Sequence, residues 1–143
     1  MTSRRLEDLH PSVRPMVDAF LTSCAGAGID ILVTCTYRSE VEQARLYAQG
    51  RTKPGPKVTN AKPGQSMHNF SVGGEPASLA VDVVPLKNGK PVWSAADPVW
   101  SKVGKLGETA GLEWAGRWKR FREFPHFQHP EAKAIRDNAR GAT

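Results

Sequence analysis

The sequence lacks the features that mark disulfide-rich and membrane-spanning proteins. It contains two cysteines in 143 residues, and no apolar run approaches the roughly 20 residues that cross a bilayer. Cys24 and Cys35 fall in a predicted helix and a predicted strand, so we interpret them as reduced, buried small side chains without a chemical role. A disulfide scaffold and a membrane-spanning protein are therefore excluded, and no stable membrane insertion is expected.

Short metal-binding motifs are also missing. The chain has no HExxH and no CxxC sequence, the local patterns that identify many zinc sites. It has only four histidines: His10, His68, His126 and His129. A metal site in this chain must therefore be assembled from residues that lie far apart in the sequence.

Composition predicts one globular α+β domain. The hydrophobic fraction is 39%, and 13 glycines and 11 prolines imply many turns. The net charge of +6 favours an anionic partner such as nucleic acid, a membrane surface or bacterial wall polymer. Because the chain lacks a basic recognition helix and a basic strand interleaved with aromatics, nucleic acid is not expected.

Periodicity and turn residues divide the chain into elements without an internal repeat or linker. We expect the domain to span 1–143, with a core at about 9–130 and a C-terminal segment that is a polar tail or a terminal helix. Helices are predicted at 11–25, 40–49 and 97–111, strands at 29–37, 78–85 and 112–118, and a hairpin turn at Asn88-Gly89. A long basic loop, 50–66, has no periodicity. Loops of this length within a small domain more often have a function than serve only as connections.

The stretch SLAVDVVP, residues 78–85, places one carboxylate inside an apolar strand. Alternation sets Asp82 between Ala80 and Val84 on one face, while the opposite face is wholly apolar. A buried carboxylate costs several kcal/mol unless it is paired, protonated or bound to a metal. The sequence must therefore supply a partner for Asp82.

Two histidines provide one candidate partner. His68 and His126 lie in loops with special turn residues, and two histidines with one aspartate suit a catalytic zinc that keeps a position open for water. Taken singly, each histidine fits an ordinary hydrogen-bonded or exposed side chain, and His129 is a rival to His126. Residue types and spacing leave both interpretations open.

Two charged residues are candidates for catalysis. Phe124-Pro125 interrupts the strand geometry that would point Glu123 and His126 to opposite faces, so both can turn toward one point and Glu123 can act as general base. Arg38 follows a strand and can stabilise an oxyanion. A surface ion pair for Glu123 and an exposed position for Arg38 are the alternatives.

Several stretches in this order resemble the M15 family of zinc peptidases, most closely phage L-alanyl-D-glutamate endopeptidases and related D,D-carboxypeptidases. The matching segments are LHPSVRPMVDAF, TYRSEVEQARLYAQGR, SMHN, LAVDVVP and LEWAGRWKRFREFPHFQ, which together span about 9–128. The resemblance implies the small α+β fold of D,D-peptidases and the hedgehog domain, an antiparallel sheet flanked by about three helices.

The same resemblance implies a site. One zinc ion per chain would be held by His68, Asp82 and His126, with Glu123 as the catalytic acidic residue and Arg38 polarising the scissile carbonyl. Substrate-binding roles are implied for Ser66 and Gln43.

Two departures from the family pattern stand out. Thirteen residues separate His68 from Asp82, more than in most relatives, and we expect this insertion to bulge beside the metal and reshape the groove. Ala115 replaces the first glycine of the usual EWGG sequence, which we expect to alter a turn.

The function implied is zinc-dependent hydrolysis of a peptide bond in peptidoglycan stems, at L-Ala-D-Glu or alternatively at D-Ala-D-Ala. A metal-free binding module on the same fold is the alternative from another class. The N-terminus lacks the apolar core of a signal peptide, so we expect a monomeric phage-type endolysin made in the host cytoplasm that reaches the wall after release.

Overall fold

The structure, a computed structural model, describes residues 1–141, so the last two residues of the predicted polar tail lie outside the described part. Across these residues the helices are α1 (Arg14–Gly26), α2 (Glu40–Ala48), α3 (Val99–Thr109) and α4 (Ala132–Gly141). None of them combines the length and apolarity that crossing a bilayer requires.

Within residues 1–141, seven short strands form one antiparallel sheet and a separate hairpin. The strands are β1 (Asp30–Cys35), β2 (Ser71–Val72), β3 (Glu75–Pro76), β4 (Ala80–Lys87), β5 (Lys90–Pro91), β6 (Glu113–Trp114) and β7 (His126–Gln128). The main sheet has the order β1-β4-β7-β6, with β5 paired to the end of β4, and β2 pairs only with β3. This α+β architecture confirms the predicted fold class.

β4 is the central strand, as its apolar composition predicts. Val81 and Val83 are fully buried in the main core, where they meet α1 and α3. The main core is formed by Leu9, Val13, Val17, Phe20, Cys24, Val81, Val83, Val84, Val99, Trp100, Val103, Leu112, Trp114 and Phe127. Asp82 points to the other face of β4, which is the face that carries the site described below.

Local sequence signals explain where several elements begin and turn. The Ser39 hydroxyl accepts a hydrogen bond from the Glu42 amide at the start of α2, and the Asp97 carboxylate accepts one from the Val99 amide at the start of α3. Asn88 and Gly89 both adopt positive φ, at 53° and 76°, and form the hairpin turn between β4 and β5. The three predicted helices and this hairpin are confirmed.

The structure differs from the sequence prediction in one element. The predicted strand 112–118 is limited to β6, because Ala115–Arg117 form a 3-10 helix immediately afterwards. Of the two alternatives for the C-terminal segment, the structure shows the helix, α4. Its residue Ala132 is buried in a second small apolar cluster with Phe70, Ala77 and Leu79, so α4 covers an edge of the domain.

The expected effect of the insertion between His68 and Asp82 is wrong. The extra residues form the β2–β3 hairpin, and no residue from 69 to 79 lines the groove at the site. Phe70 and Ala77, at the base of this hairpin, are joined by a 3.0 Å hydrogen bond from the Ala77 amide to the Phe70 carbonyl. The insertion is therefore anchored in the second apolar cluster and extends away from the groove.

Two glycines allow α3 to pack tightly against the sheet. A Cβ atom at Gly104 would lie 2.3 Å from Cε3 of Trp114, and one at Gly107 would lie 2.4 Å from Cε2 of Phe127. Both aromatic rings are buried, so neither has space to move away. Close contact between α3 and the edge of the sheet therefore depends on the absence of side chains at these positions.

We predict that Gly104→Ala lowers the free energy of unfolding by about 1–3 kcal/mol, although alanine favours helix formation, because the added methyl group overpacks the core. Gly26→Ala, also in a helix but with nothing within 4 Å of its added Cβ, is the matched control. It should change stability by no more than about 1 kcal/mol. Urea denaturation of both variants measures the difference, and equal stabilities would contradict the packing explanation.

Candidate metal centre

Strand pairing brings the predicted metal ligands together. Asp82 on β4 lies directly opposite His126 on β7, and directly paired residues have neighbouring side chains. On the other side of β4, a bulge in β1 after Val33 places Cys35 opposite Asp82. The short helix Met67–Asn69 then carries His68 over the same end of the sheet.

The three side chains meet at one carboxylate oxygen. Oδ1 of Asp82 lies 3.0 Å from Nε2 of His68 and 3.0 Å from Nδ1 of His126. Ligand atoms about 2.1 Å from a tetrahedral zinc ion are separated by roughly 3.4 Å, so each imidazole-to-carboxylate distance is close to that between two ligands of one ion. His68 and His126 are buried, and the partly exposed Asp82 opens toward the groove.

Hydrogen bonds on the far side of each imidazole orient the nitrogen that faces Asp82. Nδ1 of His68 donates to the Thr36 carbonyl at 2.8 Å, which leaves Nε2 as the nitrogen available to a metal. Nε2 of His126 donates to Oε1 of Gln128 at 2.8 Å, which leaves Nδ1 available in the same way. The available nitrogen of each imidazole thus faces the Asp82 carboxylate, and this set of donor types fits zinc.

Without a metal, this cluster is held by charge. Burial lowers the pKa of His68, but the charge of Asp82 and the hydrogen bond to it outweigh burial and hold that pKa well above its ordinary value. Burial likewise raises the pKa of Asp82, whereas the charge of His68 and the hydrogen bond from His126 lower it further, to well below its ordinary value. The Asp82 carboxylate is therefore ionised, with the positive charges of His68 and Arg38 beside it.

Cys35 and His129 are the alternative ligands, and both are less well placed. Ligand atoms of Cys35, His68 and Asp82 lie within 4.8 Å of one another, but Sγ of Cys35 approaches the Nδ1 edge of His68, at 3.5 Å. That nitrogen is the one bonded to the Thr36 carbonyl. Nδ1 of His129 accepts the Glu131 amide at 2.9 Å, at the start of α4.

The two predicted catalytic residues lie beside the cluster. Oε2 of Glu123 is 3.8 Å from Nδ1 of His126, and the Glu123 side chain remains half exposed to the groove. Nη2 of Arg38 is 4.0 Å from Oδ2 of Asp82. Among the described residues, Nε of Arg38 is buried without a hydrogen-bond partner, a donor of the kind that a ligand or solvent satisfies.

Gln43 does not contact the groove in the way that its predicted substrate-binding role requires. Its side chain is fully buried, and Oε1 accepts a hydrogen bond from Nη1 of Arg38 at 3.0 Å. Its Nε2 donates to the Ala61 carbonyl at 2.8 Å and to Oγ1 of Thr59 at 3.3 Å. Gln43 is therefore a positioning residue that holds both Arg38 and one wall of the groove.

Ser66 lies at the groove and also supports a metal ligand. Its hydroxyl oxygen accepts a hydrogen bond from the His68 amide at 3.2 Å, at the start of the short helix that carries this histidine. That bond uses only the oxygen as acceptor, so the hydroxyl hydrogen can still be donated to a ligand. Contact between Ser66 and substrate remains a prediction.

The cluster lies at the floor of a groove of about 720 Å³ between two irregular segments. One wall is formed by 58–61 and the other by 118–125, both without extended regular structure. The rings of Trp118 and His126 are 5.6 Å apart, so the tryptophan covers one side of the donor set. An elongated ligand can therefore lie between the walls and across the cluster.

Sequence reasoning missed three residues that orient the ligands: Thr36, Gln128 and Cys35. A backbone carbonyl such as that of Thr36 leaves no signal in residue identity. Gln128 lies two residues after His126, so alternation alone indicates that their side chains share a face. The position of Cys35 depends on the bulge in β1, for which the sequence DILVTC gives no marker.

Three donors with an adjacent carboxylate in an open groove have the composition of a metal-dependent hydrolase site. Comparison with known proteins agrees: residues 59–129 match the M15 family described as D-alanyl-D-alanine carboxypeptidase. The chain is also 39% identical over 129 residues to the peptidoglycan L-alanyl-D-glutamate endopeptidase CwlK of Bacillus subtilis (strain 168), covering 85% of this chain and 73% of that protein. The chain belongs to the M15 peptidase family, which confirms the resemblance.

Solved structures share the fold at low sequence identity. The L-Ala D-Glu endopeptidase ChiX of Serratia marcescens superposes with a TM-score of 0.63 at 20% identity, covering 94% of this chain and 92% of that one. The LD-carboxypeptidase LdcB also gives 0.63, at 18% identity, covering 91% of this chain and 64% of that one. These likenesses establish the fold, and the site must be judged on its own residues.

We predict that the purified protein holds about one zinc ion per chain, and that His68→Ala, Asp82→Asn and His126→Ala each retain far less than one. Elemental analysis after dialysis against metal-free buffer measures the content. Cys35→Ala and His129→Asn are the controls for the alternative ligands and should keep zinc, because Cys35→Ala leaves the Thr36 hydrogen bond that orients His68 and Nδ1 of His129 is used by the Glu131 amide. Loss of zinc from either control, with retention in His126→Ala, would replace the proposed ligand set by another.

Proposed function

We propose that this protein is a zinc-dependent peptidase that hydrolyses the bond between L-alanine and D-glutamate in the stem peptides of peptidoglycan. The convergence of His68, Asp82 and His126 beside Glu123 supports the hydrolytic chemistry. The 39% identity to an L-alanyl-D-glutamate endopeptidase supports the choice of bond. The cell wall is then the place of action.

When bound, zinc would supply a Lewis acid and would lower the pKa of a coordinated water toward neutrality. His68, Asp82 and His126 are the residues that would hold it. The hydrogen bonds from His68 to the Thr36 carbonyl and from His126 to Gln128 fix the imidazole orientations before any ion arrives.

Glu123 is the proton carrier in this mechanism. Its carboxylate lies at the edge of the cluster and is half exposed, so it can reach both the attacking water and the departing amine. It accepts a proton as the water attacks the peptide carbonyl, and it delivers that proton to the amine nitrogen as the C–N bond breaks. The carboxylate is regenerated at the end of the cycle.

Arg38 is the electrostatic partner of the reacting carbonyl. Its guanidinium lines the groove and is fixed by Gln43 on one side and Asp82 on the other. A positive group fixed in advance stabilises the negative charge that develops on the carbonyl oxygen without reorganising during the reaction. Removing one such donor costs about 100-fold or more in turnover.

The second candidate function is removal of a terminal D-alanine. The matching family carries the description D-alanyl-D-alanine carboxypeptidase, and LdcB, a carboxypeptidase, shares the fold. A metal-free binding module is the candidate from another class, but such a module has no need for a proton carrier beside three convergent donors. Product analysis separates the two enzymatic candidates.

We predict that Glu123→Gln retains zinc but loses about 100- to 10,000-fold in turnover of purified peptidoglycan, because the amide cannot accept the proton. Release of soluble muropeptides measures turnover. Glu75→Gln is the matched control, since Glu75 lies on the hairpin that extends away from the groove. Wild-type turnover by Glu123→Gln would exclude the residue from catalysis.

We predict that digestion of purified peptidoglycan separates L-alanine from D-glutamate and leaves terminal D-alanine in place. Mass spectrometry of the released fragments identifies the new amino and carboxyl termini. Loss of a terminal D-alanine as the main product would instead establish the carboxypeptidase. If a fully zinc-loaded protein leaves the peptidoglycan uncut, the binding module is favoured.

A further inference from the structure

Positive charge is concentrated in two segments of this chain. Residues 50–66 and 115–122 contain eight of the 20 lysines and arginines and none of the 14 acidic residues. The remaining residues therefore have a net formal charge of −2, although the whole chain has +6. The basic character of the protein comes entirely from these two segments.

Both segments border the groove, one on each side. Lys57 and Lys62 flank the stretch 58–61 that forms one wall, and both are exposed. Lys119 and Arg120 lie between the wall residues Trp118 and Phe121, and they are exposed as well. We call these four cations, together with the wall residue Arg122, the basic rims of the groove.

The fold uses only one of the five rim cations, and that one only through a single nitrogen. Within residues 1–141, Lys57, Lys62, Lys119 and Arg120 form no ion pair. Arg122 uses only Nε, which donates to the Trp118 carbonyl at 3.1 Å.

Two other arginines of these segments bond to groups of the fold, so we do not count them among the rim cations. Arg117 forms an ion pair with Glu108, and Arg51 donates to the Tyr47 and Thr59 carbonyls. The fold therefore engages these two arginines and leaves the rim cations exposed on both sides of the active cluster.

Carboxylates near the groove do not cancel the rims. Asp82 belongs to the metal cluster, and Glu113 accepts a hydrogen bond from Nε1 of Trp118. Glu40 lies against Gly64 at the end of one wall, and Glu123 is the proton carrier. Each side of the groove thus has more exposed positive than negative groups, and an anionic polymer gains from lying across it.

We propose that the basic rims bind carboxylates of stem peptides neighbouring the one being cut, so that the enzyme recognises cross-linked, multi-stem peptidoglycan as a polyanion. This inference rests on the proposed function for its substrate class. A stem peptide that contains D-glutamate carries a free carboxylate besides the bond to be cleaved, and adjacent stems repeat it. Several weak contacts to one polymer add as avidity, which a single stem cannot supply.

The test measures binding without cleavage, in the Glu123→Gln background, by sedimentation with purified peptidoglycan. The rim variant is Lys57→Gln, Lys62→Gln and Lys119→Gln together. Its matched control changes Lys90, Lys102 and Lys105 to glutamine, three exposed lysines outside the groove, so both proteins have a net charge of +4 in the Glu123→Gln background.

We expect the rim variant to bind about tenfold more weakly at low salt, and the control to bind within about twofold of the parent. Raising the salt from about 0.05 to 0.3 M should remove most of the difference, because exposed charges are screened. Equal losses in both variants would show that only net charge matters and would overturn the proposal. No loss in either variant would overturn it too.

Chemical treatment of the polymer identifies the anion. Amidation of the carboxylates should abolish rim-dependent binding, whereas removal of phosphate-linked polymers with hydrofluoric acid should leave it intact. The opposite pattern would assign the rims to a phosphate-bearing wall polymer and overturn the proposal. Because binding is measured without turnover, a wild-type protein that binds through its rims but cuts nothing would refute the proposed function alone.

Discussion

An ionised carboxylate on the central strand is the constraint on which the site depends. Asp82 lies on β4, whose neighbours in sequence are fully buried valines, and an isolated charge there would cost several kcal/mol. The structure meets this cost with two imidazoles at 3.0 Å and with Arg38 at 4.0 Å. The same geometry suits a divalent cation, since the groups that neutralise the carboxylate also contribute metal-binding nitrogens. Stability of the metal-free fold and the capacity to hold a metal therefore have one origin.

Backbone irregularities determine how these groups converge. The bulge in β1 brings the Thr36 carbonyl to Nδ1 of His68, and the turn around Pro125 brings Glu123 within 3.8 Å of His126. Regular strands would point Glu123 and His126 to opposite faces. Departure from regular geometry at the end of an otherwise regular sheet thus places the Glu123 carboxylate next to a predicted metal ligand. The regular strands fix the positions of the backbone, and their irregular ends determine where the side chains of the site point.

The sequence indicates the chemically active residues of the site better than it indicates the residues that hold them in position. Asp82 is conspicuous because a charge interrupts an apolar strand, and the family resemblance selects His68 and His126 from four histidines. Gln43 could not be interpreted in the same way. Its burial and its bond to Arg38 depend on how the loop 50–66 folds against α2, which no local pattern encodes. The position of the insertion could not be predicted for a similar reason: the residues that anchor it become a cluster only after α4 packs against them.

The walls of the groove raise the question of how irregular segments keep a defined shape, since ordering each residue costs about 1–2 kcal/mol of conformational entropy. Long side chains satisfy carbonyls of the loop 50–66: Arg51, within the loop, bonds Thr59, and Arg136 of α4 bonds Gln65. Gln43 adds a bond to Ala61 from α2. These buried or structural donors fix the backbone, while the exposed lysines of the same segment contribute nothing to its order. The polar groups of this loop therefore have two different roles. Its backbone carbonyls bond to the protein, whereas its lysine side chains face the solvent. Substitution of those lysines can therefore change which ligands the groove attracts without changing the shape of the groove.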